Sequence, residues 1–146
     1  LRTIAARVPP ARPAARPDRR VALAVQPGDD HVFGLRIVAE YFARAGWQVN
    51  DDLQPSADML VAKTSGEWHA VVGLSVGAEV HVARLAALVL RLRDTSCNPH
   101  MGIMLGGSLV NAHPELVAVI GADFHALDPA SAVASAERWC GSMPVP

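Results

Sequence analysis

Long apolar runs are missing from this chain. No stretch approaches the roughly 20 residues that a membrane-spanning helix needs, and the opening is rich in Arg and Pro rather than a basic tip followed by an apolar stretch, so no secretory leader is read there. Cysteine is scarce. Cys97 and Cys140 form no metal-binding spacing, and reduced thiols of a cytoplasmic protein are their expected state. Charge is sparse too, at 18% of residues against 51% hydrophobic, which excludes a disordered chain and fits a compact α/β domain. There is no internal repeat, and His69, His100, His113 and His125 make no His-x-x-x-His pair, which argues against a separate zinc site. No Ser/His/Asp set or carboxylate pair points to independent catalysis, so an enzyme is not expected. The first residue is Leu1 rather than methionine, as expected of an excised or processed fragment.

What remains is one domain's worth of chain, 146 residues, with an uneven charge. Residues 1–20 hold six arginines against the single acid Asp18, a net of +5. The other 126 residues carry seven basic and thirteen acidic groups, a net of −6, which disfavours nucleic-acid binding by the folded body. Residues 1–19 include Pro9, Pro10, Pro13 and Pro17 and read as a Pro/Arg-rich arm or linker. Weak contact with nucleic acid or an acidic partner is the alternative role for that arm. Residues 20–146 are the domain.

From Arg20 onward, strand and helix patterns alternate, which predicts a parallel sheet covered on both faces. Strands are expected over 21–26, 47–50, 70–75, 102–105 and 122–126. Helices are expected over 32–45, 56–64 and 79–93, from His113-Pro114, and over 129–140. The first helix is expected to bury Phe33, Ile37, Val38, Tyr41 and Phe42; the second is expected to turn Met59 and Leu60 inward. In the third, Val82, Leu85, Leu88, Val89 and Leu92 face the core. Five such units suit a flavodoxin-like (Rossmann-like) doubly wound five-stranded parallel sheet, whose ligand crevice lies beyond the ends of the first and third strands.

The loop after the first strand carries Asp29-x-His31-x-x-Gly34. A histidine can ligate a metal through one ring nitrogen while the other donates to a carboxylate, which fixes the tautomer and raises basicity. The glycine leaves room for something flat to lie against the helix start. A surface loop histidine is the alternative reading of His31, and Asp30 suits a helix-capping acid.

This spacing resembles the signature of cobalamin-binding domains, and three later landmarks occur in the family's order: Gly73-Leu74-Ser75-Val76-Gly77, Leu105-Gly106-Gly107-Ser108, and Gly121-Ala122-Asp123. The resemblance implies that His31 is the lower cobalt ligand, replacing the cofactor's own dimethylbenzimidazole, with Asp29 behind it. It implies that Ser75 and Gly77 meet the buried dimethylbenzimidazole tail, although Gly77 stands where a larger residue is usual. Gly106 and Gly107 would admit a tail or macrocycle edge, Ser108 would bond the tail, and Gly121 would sit near the cofactor. For each glycine motif a plain turn is the alternative. His81 stands where some members have a serine that completes a relay through Asp29. It could bond Asp29, reach the outer face of the corrin, or be an exposed helix histidine.

Several stretches are most similar to cobalamin-dependent antirepressors of photosynthesis genes (AerR/PpaA type): Leu74-Ser75-Val76-Gly77, His81, Asn98-Pro99, and Met104 to Gly107 with His113 to Val117. The resemblance implies a light-responsive regulatory module that binds a transcriptional repressor, with adenosyl-, methyl- or hydroxocobalamin as cofactor. A related domain in that system binds haem, which makes haem the alternative cofactor. The other readings are a corrinoid carrier domain of a methyltransferase, which would normally follow a helical bundle, and a mutase, which would need a barrel.

Overall fold

The computed structural model describes residues 16–27, 32–77 and 80–143. Among them, β1 (Arg20–Val25), β3 (Val71–Ser75) and β4 (Gly102–Gly106) form the centre of a five-stranded sheet. Each is almost wholly apolar because helices cover both of its faces. The order is β2-β1-β3-β4-β5, all parallel, with β2 (Gln48–Val49) and β5 (Phe124–His125) as short edges. This is the doubly wound, flavodoxin-like arrangement that the alternation predicts. The register sets Val25 opposite Ser75 and Ser75 opposite Gly106, so the three central strands end level with one another. Beside the two-residue β2, the Asn50 side chain continues the ladder. Its Nδ2 donates to Leu23 O and its Oδ1 accepts from Leu23 N, both at 2.7 Å.

Helices α1 (Phe33–Arg44) and α6 (Pro129–Ser142) cover one face, packing with Val21, Leu23, Val25, Val71 and Met104. Helices α2 (Ala57–Gly66), α3 (Val82–Thr95), α4 (Ser108–Ala112) and α5 (Leu116–Ile120) cover the other, over Ala22, Ala24, Val72, Leu74, Ile103 and Leu105. Capping begins two of these helices. Ser56 Oγ accepts from Met59 N at 3.1 Å, and Asp128 with Ser131 forms a capping box ahead of α6, with Pro129 in its first turn.

Three sequence expectations need correction. In α1, Leu35 and Phe42 are buried with Val38 and Ala39 beside them, whereas Phe33 is 77% exposed, Ile37 41% and Tyr41 46%. Residues 35, 38, 39 and 42 follow the i, i+3, i+4, i+7 stripe that docks on a sheet; 33, 37 and 41 form a second stripe on the opposite side of the helix. In α2, Leu60 is buried and Met59 is exposed, since the two point about 100° apart around the helix and only the stripe through Leu60 meets the sheet. The crossover before β5 is two five-residue helices rather than one beginning at His113-Pro114. Pro114 lacks an N–H and restricts His113, which ends α4 at Ala112.

The last residues of the expected arm are tied to the body. Arg16 N donates to Gly46 O at 2.9 Å, and the guanidinium groups of Arg16 and Arg19 both bond Glu137, Arg19 through Nε at 3.0 Å. The Arg19 guanidinium also lies 5.8 Å from the Trp47 ring centre. Residues 1–15, on which any nucleic-acid contact by the arm would depend, lie outside the described residues. Among the described residues no helix is long and apolar enough to cross a membrane.

Candidate cofactor site

A cavity of about 290 Å³ opens at the C-terminal edge of the sheet, between the central strands and the α1/α6 layer. Gly34 of α1, Ser75 at the end of β3 and Gly106 at the end of β4 line it, and so do Leu127 and Asp128 from the β5–α6 connection. Thus three of the residues expected to hold a cofactor converge on one space. The register explains why, since Ser75 and Gly106 are ladder neighbours at the strand ends. A Cβ placed on Gly34 would meet nothing within 4 Å, so the opening above the start of α1 is real room. The Ser75 hydroxyl has no hydrogen-bond partner among the described residues, which leaves it available to a ligand.

The floor of the cavity depends on Gly73, which belongs to the serine landmark but is given no role there. Gly73 pairs across the sheet with Leu23 and Met104, and a Cβ there would stand 2.7 Å from Leu23 Cδ2 and 2.9 Å from Met104 Cε. All three residues line the cavity. A glycine in the middle of an otherwise apolar strand signals such a close approach; here it was absorbed into the neighbouring serine motif.

The remaining expected residues do not line this cavity or lie outside the described residues. Gly77 and Gly107 belong to the loops beyond β3 and β4 at the same edge and do not line the cavity. Gly107 has φ +103°, and a Cβ there would lie 2.5 Å from Val76 O, so it locks the two loops together. Ser108 is exposed at the start of α4. His81, at the start of α3, is also exposed and lines a separate pocket of about 180 Å³ on the other face of the sheet, with Gln26, Pro27 and Arg84. Gly121, with φ +89°, ends α5 and precedes β5, at the opposite end of the sheet from the cavity. There, Asp123 Oδ2 accepts from Ile103 N at 2.8 Å and pairs with Arg93 at 3.1 Å. Asp29 and His31 lie outside the described residues; Pro27 and Val32, on either side of them, bring the chain to the C-terminal edge.

The space suits a flat apolar group. An apolar cavity of about 150 Å³ accepts benzene, so 290 Å³ is enough for a bicyclic aromatic with part of its attachment. Among the described residues no three His, Cys, Asp or Glu side chains form a group that could hold a metal.

The model of the B12 binding domain family matches residues 19–136. Among curated proteins none matches the chain. Of solved structures, a novel cobalamin-binding protein from Desulfitobacterium hafniense DCB-2 is 22% identical, with a TM-score of 0.67 over 83% of this chain and 58% of that one. The Methanosarcina barkeri monomethylamine corrinoid protein is 23% identical, with a TM-score of 0.67 over 83% and 57%. This chain therefore spans less than three-fifths of either protein. A chemotaxis protein, CheY4 of Vibrio cholerae, is 16% identical with a TM-score of 0.55 over 82% and 98%. These likenesses establish the fold, which a chemotaxis protein shares, whereas the family match covers the strands, the glycine motifs and the cavity together. The chain belongs to the B12-binding domain family.

Proposed function

We propose that this domain binds cobalamin with His31 as lower cobalt ligand and the displaced nucleotide tail in the 290 Å³ cavity, and that it acts as a regulatory module read by a transcriptional repressor rather than as an independent enzyme. The observation that carries the binding reading is the convergence of Gly34, Ser75 and Gly106 on one apolar cavity at the edge to which the motif loop is attached. Asp29 would orient the His31 ring and raise its basicity. When bound, cobalamin supplies a cobalt centre whose carbon bond is light-sensitive in the alkyl forms; positioning and ligation are the protein's part.

The regulatory reading draws on the corrected face of α1. Phe33, Ile37 and Tyr41 form an exposed apolar stripe, and Ile37 also lines the cavity, so a partner resting on this stripe touches the wall of the cofactor site. For such a surface to act as a switch, the partner must bind two cofactor states with different affinity, since equal affinity shifts nothing. The likeness to a monomethylamine corrinoid protein favours a second reading, a corrinoid carrier domain of a methyltransferase.

Absorption spectroscopy tests the binding reading. Hydroxocobalamin added to the purified chain should give a histidine-ligated spectrum that His31→Ala abolishes, and Asp29→Asn should weaken binding by roughly 10–100-fold. An unchanged spectrum and affinity in His31→Ala would sink the ligand assignment, and haem bands in the isolated protein would overturn the choice of cofactor. A repressor whose affinity differs between the dark alkylcobalamin form and the illuminated form supports the regulatory role. Turnover with a methyltransferase and no response to light supports the carrier.

A further inference from the structure

The 290 Å³ cavity is almost bare of hydrogen-bonding side chains. Leu23, Leu35, Val38, Met104 and Leu127 are among its walls, and of the described residues that line it only Ser75 and Asp128 have a polar side chain. Asp128 is exposed, and its Oδ1 already accepts from Ser131 N at 2.7 Å in the capping box of α6. An ionised carboxylate has no proton to donate.

The backbone around the cavity is also committed. Ala126 N donates to Leu105 O at 3.0 Å, and Leu127 N and Asp128 N donate to Ser131 Oγ at 3.2 and 3.1 Å. Ser75 O and Gly106 O, at the strand ends, accept from Gln26 N and Val76 N, both at 2.8 Å. Strand alternation sets Ser75 on the same face as Val71, beneath α1 and α6, whereas Val72 and Leu74 lie on the other. The Ser75 hydroxyl is therefore the one uncommitted side-chain donor among the described lining residues.

A flat ligand buried here can carry one acceptor. Each further acceptor buried without a donor weakens binding, by roughly fivefold to a hundredfold. Corrinoids differ in the base that ends the nucleotide tail. Dimethylbenzimidazole, once off the cobalt, keeps a single free ring nitrogen and two methyl groups. An adenine on the same tail keeps three free ring nitrogens and an amino group, and it has no methyl groups. Ser75 can bond one nitrogen of either base. Asp128 at the rim could accept from the amino group of adenine, but no acceptor helps its remaining ring nitrogens. Each absent methyl group weakens binding by roughly fourfold more.

We propose that this cavity makes the domain selective for the base of the corrinoid tail, taking dimethylbenzimidazole and rejecting adenine. Its apolar walls supply the selection, and Ser75 is the single donor to the bound base. This inference rests on the cobalamin reading above and adds the class of corrinoid that the site takes.

The test is an absorption titration of the full chain with three corrinoids: hydroxocobalamin, its adenine counterpart, and cobinamide, which has the ring and no base. Cobalamin should bind roughly a hundredfold tighter than the adenine form. Cobinamide should match the adenine form, whose base stays outside. Ser75→Ala should raise the cobalamin Kd roughly fivefold to tenfold and leave the cobinamide Kd unchanged, which a merely structural role for Ser75 would not do. Equal affinities for the two bases, or a Ser75→Ala loss that cobinamide shares, overturn the proposal and leave the cobalamin reading intact. If cobalamin and cobinamide bind alike, the base lies outside the cavity, and the proposal falls together with the placement of the tail. Failure of the wild type to bind any of the three removes the cobalamin reading as well.

Discussion

The adjacent glycines of the Gly106-Gly107 pair should fail in opposite ways when each is replaced by alanine. Gly107 has φ +103° and ψ 169°, a region that is nearly glycine-only and costs other residues about 1–3 kcal/mol. Its added Cβ would also stand 2.5 Å from Val76 O and 3.0 Å from Val76 N. That obstacle is backbone, which cannot rotate away, and overpacking of this kind adds about 1–3 kcal/mol. Together these take roughly 2–6 kcal/mol from a domain whose total stability is of order 5–15 kcal/mol. At about 3–4 °C per kcal/mol for a chain of this size, Gly107→Ala should melt roughly 6–24 °C below wild type. Gly106 is different: its Cβ would meet only Ala126 O, at an ordinary 3.8 Å. Gly106→Ala should therefore keep the stability or raise it by up to about 1 kcal/mol, since alanine restricts the unfolded chain. Its methyl group enters the cavity wall, however, and cobalamin affinity should drop. Thermal melts followed by circular dichroism and a cobalamin titration separate the two effects. Equal melting temperatures for the two variants would refute the division into a structural glycine and a ligand-facing one.

Two further predictions concern charge. His69 is 1% exposed, and burial holds its ring below the usual histidine range near 6.5, while Nδ1–H donates to Glu67 O at 2.9 Å. The unfolded chain then takes up the proton first, so stability is full above about pH 6.5 and falls as the pH drops toward the folded-state value. His69→Gln should show a smaller loss of melting temperature between pH 7.5 and 5.5 than wild type; equal losses would clear His69. At Glu137, burial pushes the carboxyl upward, but bonds from Arg19, Trp47 and Arg16 outweigh it and hold the group below its usual 4.5. Its contribution is present above that value and lost as the pH falls below it. Glu137→Gln should cost about 1–2 kcal/mol, a range set low because solvent reaches about a third of this side chain. An unchanged urea midpoint would count against this.

Much of this architecture is legible in the sequence because the central strands are apolar runs, and two of them end in serine or glycine. The β–α alternation and the sheet order follow from those runs. The loops that carry Gly34, Ser75 and Gly106 meet because parallel strands in register bring their ends level. Other features are hidden because the pattern has two solutions. Phe33, Ile37 and Tyr41 look like a core stripe until the opposite stripe of Leu35, Val38, Ala39 and Phe42 takes the sheet. Gly121 shares a motif style with Gly106, but it precedes its strand instead of following it, so it stands at the other end. Gln26 gives no signal at all, since a lone glutamine after a strand has no pattern; only its burial sets it apart.

The placement of the indole rings has an optical consequence. Trp47 precedes β2, Trp68 precedes β3, and Trp139 packs on Gly102 at the start of β4 while its Nε1 donates to His100 O at 3.1 Å. All three stand at the N-terminal end of the sheet, whereas Ser75 and Gly106 stand at the other end, one five-residue strand away. That height is roughly 17 Å, too far for contact and near enough for excitation energy to pass through space to a coloured group. A cobalamin bound as proposed would place the emitters on the floor and the chromophore on the roof. The light the domain emits would dim as the roof fills, even with every tryptophan's surroundings unchanged.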